Sequence, residues 1–207
     1  MPRYGQIDGD YGRRLRSPDG DGPVYMLGLT RLLPGHSKRT LAASLSGHSA
    51  EPVYAPVSLL AAAGATLCFA ADVLASTGGW DRVAVIWYPT RRSFVELAYQ
   101  RNFQDWHIAK EQRMERTTVM GTLPVAGLPA PAWSGRILLE AWSGPPPGEV
   151  APGRLTAFAV EGTIIGDGRG WDGVRYTPIE PGTALPLDRP GPRYQALLLE
   201  PTIERWR

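Results

Sequence analysis

Apolar positions crowd the run Val24-Tyr25-Met26-Leu27-Gly28-Leu29-Thr30-Arg31-Leu32-Leu33, which opens after Pro23 and carries no polar side chain before Thr30. Such a run predicts a strand buried on both faces, with a helix layer on one side and a second sheet on the other. Tyr54, Val57, Leu60 and Ala61 then recur at helical spacing, with Pro56 tolerable in a first turn and Gly64 as the stop. Strand-like residues 66–73 follow, then Ser76-Thr77-Gly78-Gly79 as a hairpin turn and residues 81–88 as a third strand. Between the first strand and the first helix, residues 34–50 form an irregular excursion carrying His36, Lys38, Arg39 and His48.

Pro89 ends the third strand, and Thr90 is placed to cap a helix that carries Phe94, Leu97 and Ala98. The register fails at Gln100-Arg101 and restarts with Phe103, Trp106, His107, Lys110 and Met114, three or four residues apart. This predicts a broken helix, 91–100 and 103–113, with Asn102 and Asp105 spaced as a capping box. A strand at 116–123 completes the order β-α-β-β-α-β, so the expected fold class is α+β and ferredoxin-like, over residues 23–124.

Beyond it the pattern changes. Residues 124–152 hold seven prolines, and the strand candidates 136–142, 155–160, 163–165, 174–177 and 194–199 come almost without helix signal. Gly79-Trp80-Asp81-Arg82-Val83 is echoed by Gly170-Trp171-Asp172-Gly173-Val174. Residues 125–207 therefore read either as a degenerate second repeat or as a separate strand-rich domain. Residues 1–22 are polar and turn-rich and read as an arm, with Tyr4 and Tyr11 able to dock onto the body.

Composition narrows the function classes. The net charge is +2, and arginines are scattered among acids as at Arg113-Met114-Glu115-Arg116. Neither a basic stripe nor a reading element is present, so no nucleic-acid partner is expected. No apolar stretch approaches a membrane span, and Arg3, Asp8 and Asp10 interrupt any signal-peptide pattern, so a cytoplasmic location without membrane partners is expected. The single cysteine, Cys68, lies in an apolar run and reads as a buried hydrophobe. Three histidines far apart in sequence argue against a metal site, and no phosphate loop, dinucleotide fingerprint or nucleophile elbow occurs.

Three tracts carry a likeness over residues 23–120: Gly22 to Leu29; Trp80 to Val85 with Tyr88 to Phe94; and Trp106-His107-Ile108-Ala109-Lys110 running into Met114 to Thr117. In these the chain resembles the small dimeric α/β-barrel domains of the uncharacterised family numbered 1330 among domains of unknown function. Relatives often carry asparagine where this chain has Gly28, and some a second histidine where it has Ala109. The resemblance implies a homodimer formed through sheet faces, and a pocket between helices and sheet. The wider superfamily includes cofactor-free monooxygenases, cyclases, isomerases, dehydratases and haem enzymes, so the fold alone does not name the chemistry.

His107 leads the catalytic candidates, because an imidazole titrates near neutrality and this one shares a helix face with Phe103, Trp106 and Lys110. A histidine merely bonded to backbone or solvated is the plainer reading. Asp105 suits a cap, and Lys110 suits an anionic substrate or a snorkelling role. Tyr88 and Arg31 stand at strand ends, Tyr25 shares a strand face with Arg31, and Asp72 is a carboxylate in apolar company. Together they suggest a cofactor-independent cyclase, isomerase or dehydratase. His107, Tyr88, Arg31 and Lys110 would do the chemistry, and Tyr25, Asp72, Phe103 and Trp106 would hold an aromatic or polyketide-like molecule. The alternative is a non-catalytic dimeric module that binds a metabolite or a protein.

Overall fold

The computed structural model describes residues 6–17, 19–35, 57–125, 135–148, 156–180, 182–183, 185–187, 191 and 193–206. Its strands are β1 (Gln6–Ile7), β2 (Val24–Leu32), β3 (Thr66–Ser76), β4 (Arg82–Tyr88), β5 (Met114–Pro124), β6 (Arg136–Trp142), β7 (Thr156–Gly166), β8 (Gly173–Ile179) and β9 (Tyr194–Glu204). The helices are α1 (Gly9–Arg14), α2 (Val57–Ala62), α3 (Arg91–Tyr99) and α4 (Arg101–Glu111). Every ladder is antiparallel, in the order β1-β7-β5-β2-β4-β3-β9-β6-β8, and β8 returns to pair with β7. Strands β2 to β9 thus close an eight-stranded barrel, with β1 on its rim.

This corrects the expected fold class. The chain is not an α+β ferredoxin-like domain. It is a closed antiparallel β-barrel with few and short helices among the described residues. The sequence places the elements of residues 23–124 nearly where they lie, but cannot show which strands meet. Here β5 pairs with β7, Val119 opposite Ile165 and Leu123 opposite Ala159, and β3 pairs with β9, Val73 opposite Leu199. Those two ladders use the free edges of β3 and β5 within one chain and leave no open edge in the ring.

Side-chain alternation divides the strands into an inner and an outer set. Tyr25, Leu27, Leu29, Phe69, Val83, Val85, Met120, Ile137, Leu139, Phe158, Tyr176, Leu197 and Leu199 form the interior. Trp206, beyond the end of β9, folds back into this core. Its indole stacks on Phe69 at 5.5 Å between ring centres and meets Tyr25, Phe158 and Tyr176 at 6.2, 5.8 and 5.5 Å. Such ring pairs add stabilisation beyond the area they bury.

The echoed tracts sit alike. Asp81 donates its backbone N–H to Thr30, accepts from Val73 on its carbonyl, and accepts from Leu32 N–H on its carboxylate. Asp172 donates to Trp142, accepts from Val160, and accepts from Gly144 N–H on its carboxylate. Arg116 lies over Trp80 and Arg169 over Trp171, at 4.5 and 4.9 Å. Within each set of four strands the neighbour order is also the same, β5-β2-β4-β3 and β9-β6-β8-β7.

The lead-in is more ordered than its composition suggests. Asp8 caps α1 by accepting from Asp10 and Tyr11 N–H, and Tyr11 is wholly buried on the outer face of β5 and β7. Gly121 and Gly162 make room for that ring, since an added Cβ at 162 would stand 2.5 Å from it. The Tyr11 hydroxyl donates to Glu161, whose carboxylate also takes Arg91 at 2.8 Å. Gly162→Ala should therefore unseat α1, lowering stability by about 1–3 kcal/mol while leaving the barrel closed. Hydrogen exchange would show lost protection at residues 11–15 with β2 to β5 unchanged; full protection there would mean the ring does not depend on the glycine.

Candidate functional site

Helices α2, α3 and α4 pack on the outer face of the first four barrel strands, β2 to β5, and their apolar sides meet it in a second cluster. Val24, Met26, Leu60, Tyr88 and Leu97 are its buried members, with Ile86, Phe94, Phe103, Trp106 and Val119 around them. Thr90 starts α3 with a reciprocal capping box, its hydroxyl taking Ser93 N–H while the Ser93 hydroxyl lies 3.4 Å from Thr90 N–H. The helix breaks at Gln100, whose φ of −70° and ψ of 132° are extended. The break falls where the apolar register fails. The second cap differs from expectation, for α4 starts after Gln100 with no side-chain cap, and Asn102 only accepts from the neighbouring Phe103 N–H.

The 3.6-residue turn of α4 gathers four of the anticipated residues. Phe103 and Trp106 pack 5.3 Å apart, His107 stacks on Phe103 at 6.2 Å, and the Lys110 ammonium sits 5.2 Å from the centre of the Trp106 ring. His107 Nε2 is 3.4 Å from a Glu111 carboxylate oxygen, one turn on. Glu111 was not among the anticipated residues, although the i,i+4 spacing from His107 could have found it.

Burial sets the protonation of this group. It pushes the His107 imidazole down to about 4, with the positive charge of Lys110 adding to the effect. It also pulls the Lys110 amine down to about 8, partly offset by Glu111. At neutral pH the imidazole is therefore uncharged and Lys110 is the group poised to exchange a proton. The Trp106 indole N–H is buried and has no hydrogen-bond partner among the described residues. An unmet buried donor of this kind costs about 1–3 kcal/mol.

The other anticipated residues lie apart. Tyr25 faces the barrel interior against Phe158 and Trp206, with burial and then Cys68 pushing its phenol up to about 12. Tyr88 is on the helix-covered face, edge-on to Phe94, and burial raises its phenol as well. Both phenols stay protonated at neutral pH. Asp72 lies beside the buried Arg82, 3.5 Å from its Nε. Arg31 pairs with Glu115 at 3.0 Å and lines an open cleft of about 450 Å³ with Trp80 and Asp81. His36 and His48 lie outside the described residues. Among those described, no group of three His, Cys, Asp or Glu could hold a metal, and no helix is long and apolar enough to cross a membrane.

Two titrations follow from the neutral imidazole. With a folded value near 4 against about 6.5 unfolded, the native state binds fewer protons in between. The His107 contribution is then complete above pH 6.5 and falls away as pH drops toward 4. Lys110 works likewise one step higher, adding stability only as pH rises from about 8 to about 10.5. NMR of the His107 ring should give a midpoint near 4, moving upward in Lys110→Met; an ordinary midpoint insensitive to that change would refute the buried pairing.

No protein-family model matches the chain, and no curated protein sequence matches it. The likeness to family 1330 thus stands on the three tracts alone. Among solved structures the chain is similar to a protein of unknown function from Rhodopseudomonas palustris, at 18% identity and a TM-score of 0.45, over 60% of this chain and 98% of that one. A methylated form of that protein gives 19% and 0.44, over 59% and 96%. A protein from Lactobacillus acidophilus, provisionally assigned as a monooxygenase, gives 9% and 0.47, over 87% and 94%. At these values the likenesses carry neither a family nor a chemistry to this chain.

Proposed function

We propose that the seam between α4 and the barrel binds a small oxygen-bearing molecule, aromatic or polyketide-like, and moves a proton on it without a bound cofactor. The observation that carries this reading is the buried Trp106 N–H beside His107 and Lys110, which has no partner among the described residues. A donor left unmet is explained by an acceptor that arrives with the ligand. A carbonyl oxygen seated there would take the indole N–H, and negative charge developing on it would face the Lys110 side.

The roles differ from those expected from histidine alone. As free amine, Lys110 takes the proton from the carbon next to the carbonyl and returns it at a second carbon or at oxygen. Isomerisation and cyclising aldol chemistry need no more than that proton balance. His107, uncharged, orients the substrate by hydrogen bonding, and Phe103 with Trp106 supplies a flat apolar wall.

The test is deuterium wash-in from D2O at the α-carbon of a panel of aromatic and polyketide-like ketones, followed by NMR. Wild-type protein should exchange one class of these. Lys110→Met should lose about a hundredfold or more, and Trp106→Phe about tenfold. Saturable binding with no exchange would instead support the non-catalytic module, and exchange that survives in Lys110→Met would remove the amine from the chemistry.

A further inference from the structure

A second polar site lies on the opposite half of the barrel, on the outward side of β6, β8 and β9. Glu140 is buried there, 4% exposed, and both its oxygens are used: Arg175 Nε donates at 2.5 Å and the Tyr194 hydroxyl at 2.6 Å. Around them opens a cleft of about 500 Å³, with Leu138, Trp142, Pro145, Pro147 and Pro186 as its apolar walls and Arg193 on its rim. Among the described residues no helix covers this face.

The barrel does not need this ion pair. Matching Asp81 with Asp172, and Thr30 with Trp142, places Glu140 at the register of Gly28 and Arg175 at that of Ala84. Gly28 and Ala84 are themselves opposite one another, as Glu140 and Arg175 are. One half therefore closes the same ladder with two small uncharged residues. In the other, a buried carboxylate and guanidinium carry a desolvation penalty that their attraction need not exceed.

Charge and shape say what the cleft would take. The Glu140 carboxylate is already satisfied, so it does not repel an anion as a free one would. Arg175 keeps its terminal guanidinium N–H groups, which form no hydrogen bond within the described protein, and Arg193 brings a second positive charge. Glu140, Arg175 and Arg193 sum to +1. The Trp142 ring lies flat on Gly173, where an added Cβ would stand 2.6 Å from Cε2, and Arg175 lies 5.8 Å from the ring centre. A fork of guanidinium donors beside an aromatic plate suits a planar carboxylate carrying an apolar body.

We infer that the Glu140–Arg175–Trp142 cleft is a binding site for a small aromatic carboxylate, separate from the α4 seam. Glu140 acts as a positioning residue, fixing the guanidinium so that its free edge serves the ligand. Nothing in this requires the α4 proposal to hold.

The experiment is calorimetric titration of the full chain with benzoate, 4-hydroxybenzoate and indole-3-acetate, against benzamide and inorganic phosphate. At least one carboxylate should bind saturably, one per chain, while benzamide and phosphate do not. Arg193→Ala, an exposed change, should weaken binding about two- to fivefold, and Arg175→Gln about tenfold or more. Trp142→Phe should weaken it with melting temperature retained, which separates lost contact from lost fold. Lys110→Met should leave it unchanged. Absence of saturable carboxylate binding up to about 5 mM, equal binding of phosphate, or binding indifferent to both Arg193→Ala and Trp142→Phe would each overturn the assignment.

Discussion

Closure of the sheet within one chain is the constraint on which the other features rest. The β3–β9 and β5–β7 ladders join strands about 130 and 45 residues apart, and each spends an edge that would otherwise template association. Once the ring is closed, alternation along every strand sorts side chains into an interior and an exterior with no intermediate choice. The interior then has to be filled from both halves at once. Phe69 and Tyr25 come from one, Phe158 and Tyr176 from the other, and Trp206 stands among all four. These rings pack within the interior, and the α4 seam and the Glu140 cleft both lie on the outside face.

On the outside the two halves solve the same problem differently. The first covers its apolar outer strip with α2, α3 and α4, so polar groups carried on α4 become partly desolvated at the seam. That desolvation is the main cause that lowers the basicity of His107 and Lys110, with the charge of Lys110 adding to the effect on His107. In the second half, Glu140 and Arg175 neutralise one another on the sheet surface itself, and the Tyr194 hydroxyl donates to the same carboxylate. The same barrel thus offers one site built from a helix and one built from strands.

Much of this was legible, and the illegible parts share a cause. Strand β2, the Thr90 cap, the helix break near Gln100 and the short stretch 136–142 follow from local signals of three to ten residues, and local physics decides them. The candidates 155–160 and 163–165 are one strand, β7, in which Gly162 is a strand residue cleared for the Tyr11 ring. Helix α1 was missed for a related reason, since its six residues are held by Tyr11 docking on strands about 110 and 150 positions away, more than by propensity. A run apolar on both faces does not say which side of β2 meets the helices, and in the structure Tyr25 is on the other side, facing the barrel interior. Phe103, Trp106, His107 and Lys110 gather on one side of α4 because a helix fixes their spacing by itself.

The echo of Gly-Trp-Asp shows how far a short motif can be trusted. Each aspartate holds its neighbouring strand by the same three bonds, so the tract marks a structural joint, and both tryptophans are core residues capped by arginine. What the joint specifies is register, and register is what makes the halves comparable residue by residue. Where comparison finds Gly28 and Ala84 against Glu140 and Arg175, the ladder forms with either pair, so it does not by itself call for the ion pair. A buried ion pair at a position whose counterpart is uncharged is therefore better read as serving what lies above the sheet than the sheet itself.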